Sequence, residues 1–224
     1  MKRQIIVISP HPDDETLGCG GNLLRHRAEG DALGWLIVTA IHQEEGFTAN
    51  QIAKRQQEIS TVAQHYGFAS VVKLDLPTTK LDTVPMQVLV HGIGSVFQEI
   101  KPDTIYLPYR GDAHTDHAIV FDAAISCTKW FRYPFIKRVL VYETLSETDF
   151  GLNPDANGFR PNVFVNIDSY LEQKIHIMRE YSNEMGEFPF PRSEEAIRAL
   201  ARIRGIAAGY QAAEAFMLLR ERWD

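Results

Sequence analysis

Ile5-Ile6-Val7-Ile8 constrains this chain more than any other stretch, because four consecutive β-branched residues leave neither face of a strand for water. A strand of that kind sits inside a parallel sheet covered on both sides. The residues that follow supply the covering layers. Residues 17–29 have helical periodicity and stop at Gly30; 33–40 read as a second strand, and 49–66 as a second helix closed by Gly67. Further strands are expected at 71–74, 104–107 and 139–143, with helices at 85–100 and 118–131 between them. The alternation predicts a single-domain, Rossmann-like α/β fold over 1–224, with a mainly parallel sheet and helices on both faces.

Beyond residue 145 the pattern loosens. Residues 146–161 are polar and carry Gly151, Asn153-Pro154, Asn157-Gly158 and Pro161, which reads as a loop. A strand at 163–167, a helix at 169–181 and an aromatic, proline-rich loop at 186–192 follow. Ser193-Glu194-Glu195 then opens a helix running towards Gly205, and 215–219 fit either a helix or an edge strand. There is no internal repeat and no linker.

Composition closes off several functions. With 224 residues, 45% of them hydrophobic, the chain fills one core and falls short of two ordinary domains. Its 23 basic and 29 acidic residues give a formal charge of -6 without a basic run, so a nucleic-acid backbone is repelled. No segment approaches the ~20 apolar residues of a membrane span. Lys2 and Arg3 before the first apolar run resemble a leader, but the run is short and lacks a small-residue cleavage site. Cys19 and Cys127 form no metal-like pair, and a reducing cytoplasm is the expected compartment.

Chemistry concentrates in two clusters. His11-Pro12-Asp13-Asp14-Glu15 follows the first strand, and His114-Thr115-Asp116-His117 follows the fourth after a short loop. Ligands in open parallel sheets bind outside the carboxyl ends of strands, where both clusters fall. Acids in a first helical turn suit the helix dipole, and Thr115 or Asp112 suits a cap, so each cluster alone has an ordinary explanation. Two such clusters at one sheet edge are not required by capping. His11 and Asp14 stand three apart, as do His114 and His117, a spacing that brings side chains together. Two imidazoles and a carboxylate, with one position open, suit catalytic zinc or iron(II). A further Asp can then serve as general base, and another can orient a ligating histidine.

His11-Pro12-Asp13-Asp14-Glu15, Gly18-Cys19-Gly20-Gly21 and His114-Thr115-Asp116-His117 together closely resemble the PIG-L/LmbE-like metal-dependent N-deacetylases. The resemblance extends to Arg55 and to Ala213-Glu214-Ala215-Phe216 near the C-terminus. It implies that His11, Asp14 and His117 bind the metal, normally zinc. Asp13 would be the general base and His114 the polarising or acid residue, protonated and backed by Asp116. It further implies a small-molecule substrate, an N-acetylated amino sugar or its conjugate, and admits a homo-oligomer.

Arg55 stands out without the resemblance, since it lies on the apolar stripe formed by Ile52, Ile59, Val62 and Tyr66. A guanidinium there needs a partner. Glu58 at i+3 would make the contact structural; reaching the site mouth would make it a substrate contact. Tyr109 and Arg110, just ahead of the second cluster, are candidate substrate residues as well. His26, His42, His65, His91 and His176 lack companions at ligand spacing. The competing functions are a metallo-phosphoesterase, which usually needs two metals, and a metal-stabilised binding module, which has no use for a free Asp13.

Overall fold

The computed structural model describes residues 2–152 and 158–223. Its elements are, in order, β1 (Gln4–Ser9), α1 (Asp14–Ala28), β2 (Ala32–Ala40), α2 (Ala49–Tyr66), β3 (Ser70–Pro77), α3 (Met86–Ile100) and β4 (Thr104–Pro108). They continue with α4 (Thr115–Ser126), β5 (Arg138–Tyr142), β6 (Val163–Asn166), α5 (Leu171–Met178), α6 (Glu194–Ala208) and β7 (Ala213–Glu221). Residues 153–157, inside the loop expected at 146–161, lie outside the described residues.

One sheet runs β3-β2-β1-β4-β5-β7-β6, parallel from β3 to β5, with β7 antiparallel to both its neighbours. β1 is central, as its unbroken apolar run requires. Ile5 and Val7 join the core beneath α1, α2, α5 and α6, whereas Ile6 and Ile8 join the core beneath α3 and α4. The expected α/β architecture is therefore present. Strand order reverses between β1 and β4, and the crevice at their carboxyl ends is where such sheets bind ligands.

Two helix starts differ from the sequence expectation, and both matter. α1 begins at Asp14 instead of residue 17, and α4 runs over Thr115–Ser126 instead of 118–131. Their first turns are polar, so apolar periodicity alone could not mark them. The ambiguous 215–219 segment is part of the long strand β7, inserted between β5 and β6.

The glycines of α1 allow the helix to sit close to the sheet. A Cβ on Gly18 would overlap the Tyr142 ring, and one on Gly21 would lie 2.7 Å from an Ile167 methyl group. Beside them a buried ion pair ties α1 to the end of the chain. Glu214 on β7 accepts from the Gly21 and Asn22 N–H groups (2.8 and 2.7 Å) and from Lys174 Nζ (2.7 Å). Lys174 Nζ also donates to the Leu17 carbonyl at 2.7 Å. Among the described residues no helix is long and apolar enough to cross a membrane.

Removing one partner of a buried pair strands the other charge, at a cost of about 3–5 kcal/mol. Glu214→Ala is expected to lose that much stability, read from the urea unfolding midpoint at unchanged m-value. A loss below about 1 kcal/mol would mean that the pair does not anchor α1.

Candidate metal centre and active site

The chain leaves β1 through a fixed turn. Thr39 clamps the Pro10 carbonyl with its N–H (3.0 Å) and its hydroxyl (2.8 Å), and Trp35 Nε1 donates to Ser9 Oγ at 3.0 Å. Asp13 then takes φ of 136°, a conformation that L-residues rarely adopt and that costs of order 1–3 kcal/mol. The surroundings hold it there: the Asp13 N–H donates to Glu15 Oε2 at 3.1 Å. Glu15 Oε1 in turn accepts from Thr16 Oγ1 (2.6 Å) and Tyr181 OH (2.9 Å), and burial pushes its carboxyl up to about 7. Because α1 starts at Asp14, that carboxylate reaches back over the turn and accepts the His11 N–H at 2.8 Å.

His11, Asp14 and His117 converge. Asp14 Oδ2 lies 3.5 Å from His11 Nδ1, and Asp14 Oδ1 lies 3.4 Å from His117 Nε2. One donor atom from each residue falls within 4.8 Å of the others. The edges of a zinc tetrahedron are roughly 3.3 Å, so the set needs only small side-chain rotations to close on an ion. His117 Nε2 is buried without a hydrogen-bond partner and is directed at Asp14, an orphan that a cation would satisfy. The donor set fits a divalent transition ion.

Both imidazoles of the triangle are backed by a carboxylate at the other ring nitrogen. Asp112 Oδ2 lies 2.7 Å from His117 Nδ1, and Asp116 Oδ2 lies 3.1 Å from His11 Nε2. Asp116 is fixed by the Thr79 and Leu81 N–H groups (2.8 and 3.3 Å), Asp112 by Thr148 Oγ1 (2.6 Å). Although burial opposes charge here, Asp116 and Asp14 push the His11 imidazole up to about 9. Burial likewise opposes the Asp14 charge, but His117 and His11 hold its carboxyl well below the usual carboxylate range. The three carboxylates thus hold positive charge on the imidazoles or on a cation between them.

Asp116 therefore sits differently from expectation: its carboxylate backs His11, not His114. What His114 receives is the main-chain N–H of Asp116, which donates to His114 Nδ1 at 3.1 Å in the first turn of α4. The same contact is at odds with the protonated His114 expected. A ring nitrogen accepting an N–H carries no proton, so the neutral tautomer has its hydrogen on Nε2. Burial first, then the neighbouring His11, pull the His114 imidazole down to about 4.

These residues open onto a cavity of about 410 Å³, whose lining includes His11, Asp13, His114, Phe47, Arg55 and Arg192. Asp13 is 4% exposed. Burial, Asp14 and Glu184 raise its carboxyl well above the usual range, while Arg192 and His11 pull it back. Arg192 NH1 stands 3.5 Å from Asp13 Oδ2. Arg55 lines the cavity wall and also pairs with Glu58 (3.2 Å). It further pairs with Glu184 and donates to the Pro12 carbonyl at 2.9 Å. Tyr109 and Arg110 are not brought to the cavity lining. Arg110 forks onto Asp122 (2.7 and 3.1 Å) in solvent, and Tyr109 packs edge-on against Phe159 at 5.4 Å. Sequence reasoning missed Asp112 as a backing carboxylate and Glu184 as a cavity residue, because no spacing rule links them to the clusters.

The model of the family described as PIG-L: GlcNAc-PI de-N-acetylase matches residues 6–128, which hold both clusters, and the chain belongs to that family. Among characterised relatives it is 25% identical to the diacetylchitobiose deacetylase of Thermococcus kodakarensis, over 95% of this chain and 81% of that one. Its fold matches the crystal structure of a conserved protein from Thermus thermophilus (TM-score 0.76, 24% identity, covering 99% and 97%). It also matches the 4-carboxy-2-hydroxymuconate hydratase of Pseudomonas putida (TM-score 0.73, 18% identity, covering 100% and 98%). The same architecture thus occurs in an enzyme of another reaction class, and chemistry has to be argued from the site.

Outer carboxylates on ligating histidines typically contribute 10–100-fold to metal affinity. Asp112→Asn and Asp116→Asn are each expected to weaken the ion by about that factor in a chelator competition. Arg110→Ala should leave metal affinity unchanged. Equal affinities in all three variants would remove the outer carboxylates from the metal site.

Proposed function

We propose that this protein is a zinc-dependent N-deacetylase that hydrolyses the acetamide of an N-acetylated amino sugar or its conjugate, iron(II) being the alternative ion. The observation that carries the reading is a strained, buried Asp13 standing free beside the His11, Asp14 and His117 triangle at the mouth of a cavity. A structural metal site is closed by four protein ligands and needs no such neighbour. The family and the relative named as a diacetylchitobiose deacetylase supply the substrate class.

The chemistry supplied by a divalent ion when bound is Lewis acidity, which polarises the amide carbonyl and makes water easier to deprotonate. Asp13 takes the proton of the attacking water, and its raised pKa makes it a stronger base than an ordinary carboxylate. His114 remains neutral and donates Nε2–H to the oxygen that gains charge as the carbonyl becomes tetrahedral. When the C–N bond breaks, the proton now on Asp13 passes to the amine, since the neutral His114 N–H is far too weak an acid to supply one. Arg192 steadies the Asp13 carboxylate before each turnover, and Arg55 contacts a substrate hydroxyl from the cavity wall. Asp116 acts through His11, and Tyr109 and Arg110 take no part.

A phosphoesterase reading requires a second ion ~3.5–4 Å from the first. The neighbouring group His11, His114 and Asp116 shares His11 with the triangle, and Asp116 is already tied to His11 Nε2 and to the Thr79 and Leu81 N–H groups, so the reading that needs one ion is preferred.

Acetate release across a panel of N-acetylated sugars, with metal content measured on the same sample, tests the assignment; release from none of them would overturn it. Asp13→Asn should keep its metal and lose ~10²–10⁴ in kcat, and His114→Ala ~10²–10³. The base works only when deprotonated, so kcat/KM should fall as pH drops through the raised Asp13 pKa. That acid limb should lie well above the usual carboxylate range; full activity down to pH ~4 would contradict the role given to Asp13.

A further inference from the structure

We propose that His65, His176 and Glu180 form a second site for a divalent transition ion of the zinc type, which staples the wall of the catalytic cavity to α2. Sequence spacing hides this group, because His65 belongs to the last turn of α2 whereas His176 belongs to the last turn of α5. Glu180 follows His176 by four residues, in the turn just past the end of α5, where its N–H donates to the Ile177 carbonyl at 3.0 Å. The fold brings His65 against them. Its ring centroid lies 5.5 Å from that of His176, and His65 Nε2 lies 3.7 Å from Glu180 Oε1. One donor atom from each of the three lies within 4.8 Å of the others.

The donor chemistry is also that of the catalytic triangle: two imidazoles and one carboxylate, with water free to complete a tetrahedron. Access differs. His65 and Glu180 are half-buried and His176 is exposed, so an ion arrives directly from solvent and binds less tightly than at the catalytic triangle. Arg27 NH1 donates to the His65 carbonyl, which fixes the helix end that carries the imidazole.

Position gives the site its consequence. From Glu180 the chain runs alongside α2 towards the cavity; Tyr181 is buried in the core with Ile59 and Val62, and the contacts that follow it are polar. Lys54 Nζ donates to Ser182 Oγ (3.0 Å) and Asn183 Oδ1 (2.9 Å), and Arg55 pairs with Glu184. Asn183 and Glu184 line the cavity, and Glu184 also lies 3.5 Å from Arg192 beside Asp13. An ion at the far end would convert a row of solvent-weakened contacts into a cross-linked strap. The proposal does not depend on the deacetylase reading, because it concerns metal content and local order.

The experiment is a titration of Zn²⁺ into protein already holding one equivalent, with bound metal measured after free zinc is removed. A second equivalent is expected at micromolar free zinc. His176→Ala and Glu180→Gln should each stop at one equivalent while keeping acetate release, and neither residue is buried in the core. Cu²⁺ offers a spectroscopic check: nitrogen hyperfine structure from two imidazoles in the parent protein, reduced to one in His65→Ala. Hydrogen exchange across 180–184 should slow with the second equivalent in the parent and not in His176→Ala. A stoichiometry that stays at one, or a second equivalent that survives both His176→Ala and Glu180→Gln, would overturn the site. Unchanged exchange at 180–184 would overturn the strap.

Discussion

The Asp14 carboxylate, shared between His11 and His117, is the contact on which the functional architecture turns. It joins the loop after β1 to the first turn of α4, two places that are remote in sequence and adjacent only because the strand order reverses between them. A carboxylate so deeply buried is tolerated only among positive partners. That demand accounts for the imidazoles on either side and, behind them, for Asp112 and Asp116. It also explains why the neighbouring carboxyl, Asp13, behaves in the opposite sense. Asp14 takes the favourable partners, and Asp13 is left with burial and a like charge.

Most of the architecture could be read from the chain because parallel sheets write themselves plainly. The run Ile5-Ile6-Val7-Ile8 admits only a central strand, and the residues at its exit are then bound to lie at the crevice. The two clusters were legible for the same reason. What the sequence could not convey was side-chain direction. Asp116 lies two residues from His114, yet its carboxylate turns to His11 while its N–H serves His114. Such choices depend on where a helix begins, and the polar first turns of α1 and α4 carry no apolar signature. A residue drawn from a distant turn, such as Glu184, leaves no spacing trace at all.

Tyr109 and Arg110 illustrate a different limit. Proximity to a motif along the chain suggested proximity in space, but β4 ends at Pro108 and the following turn sends Arg110 outwards to Asp122. Arg55 shows the converse. A charge on an apolar helix face proved to be both a structural partner of Glu58 and a wall of the cavity, since the first half of α2 borders the crevice.

The anchoring of α1 by Glu214 has a bearing on biogenesis. The helix that presents Asp14 is synthesised well before the carboxylate that receives its Gly21 and Asn22 amides, which follows 193 and 192 residues later. Until β7 threads between β5 and β6, a nascent chain lacks the brace that sets the pitch of its first helix. The arrangement of the Asp14 turn is thereby completed only once β7 is in place.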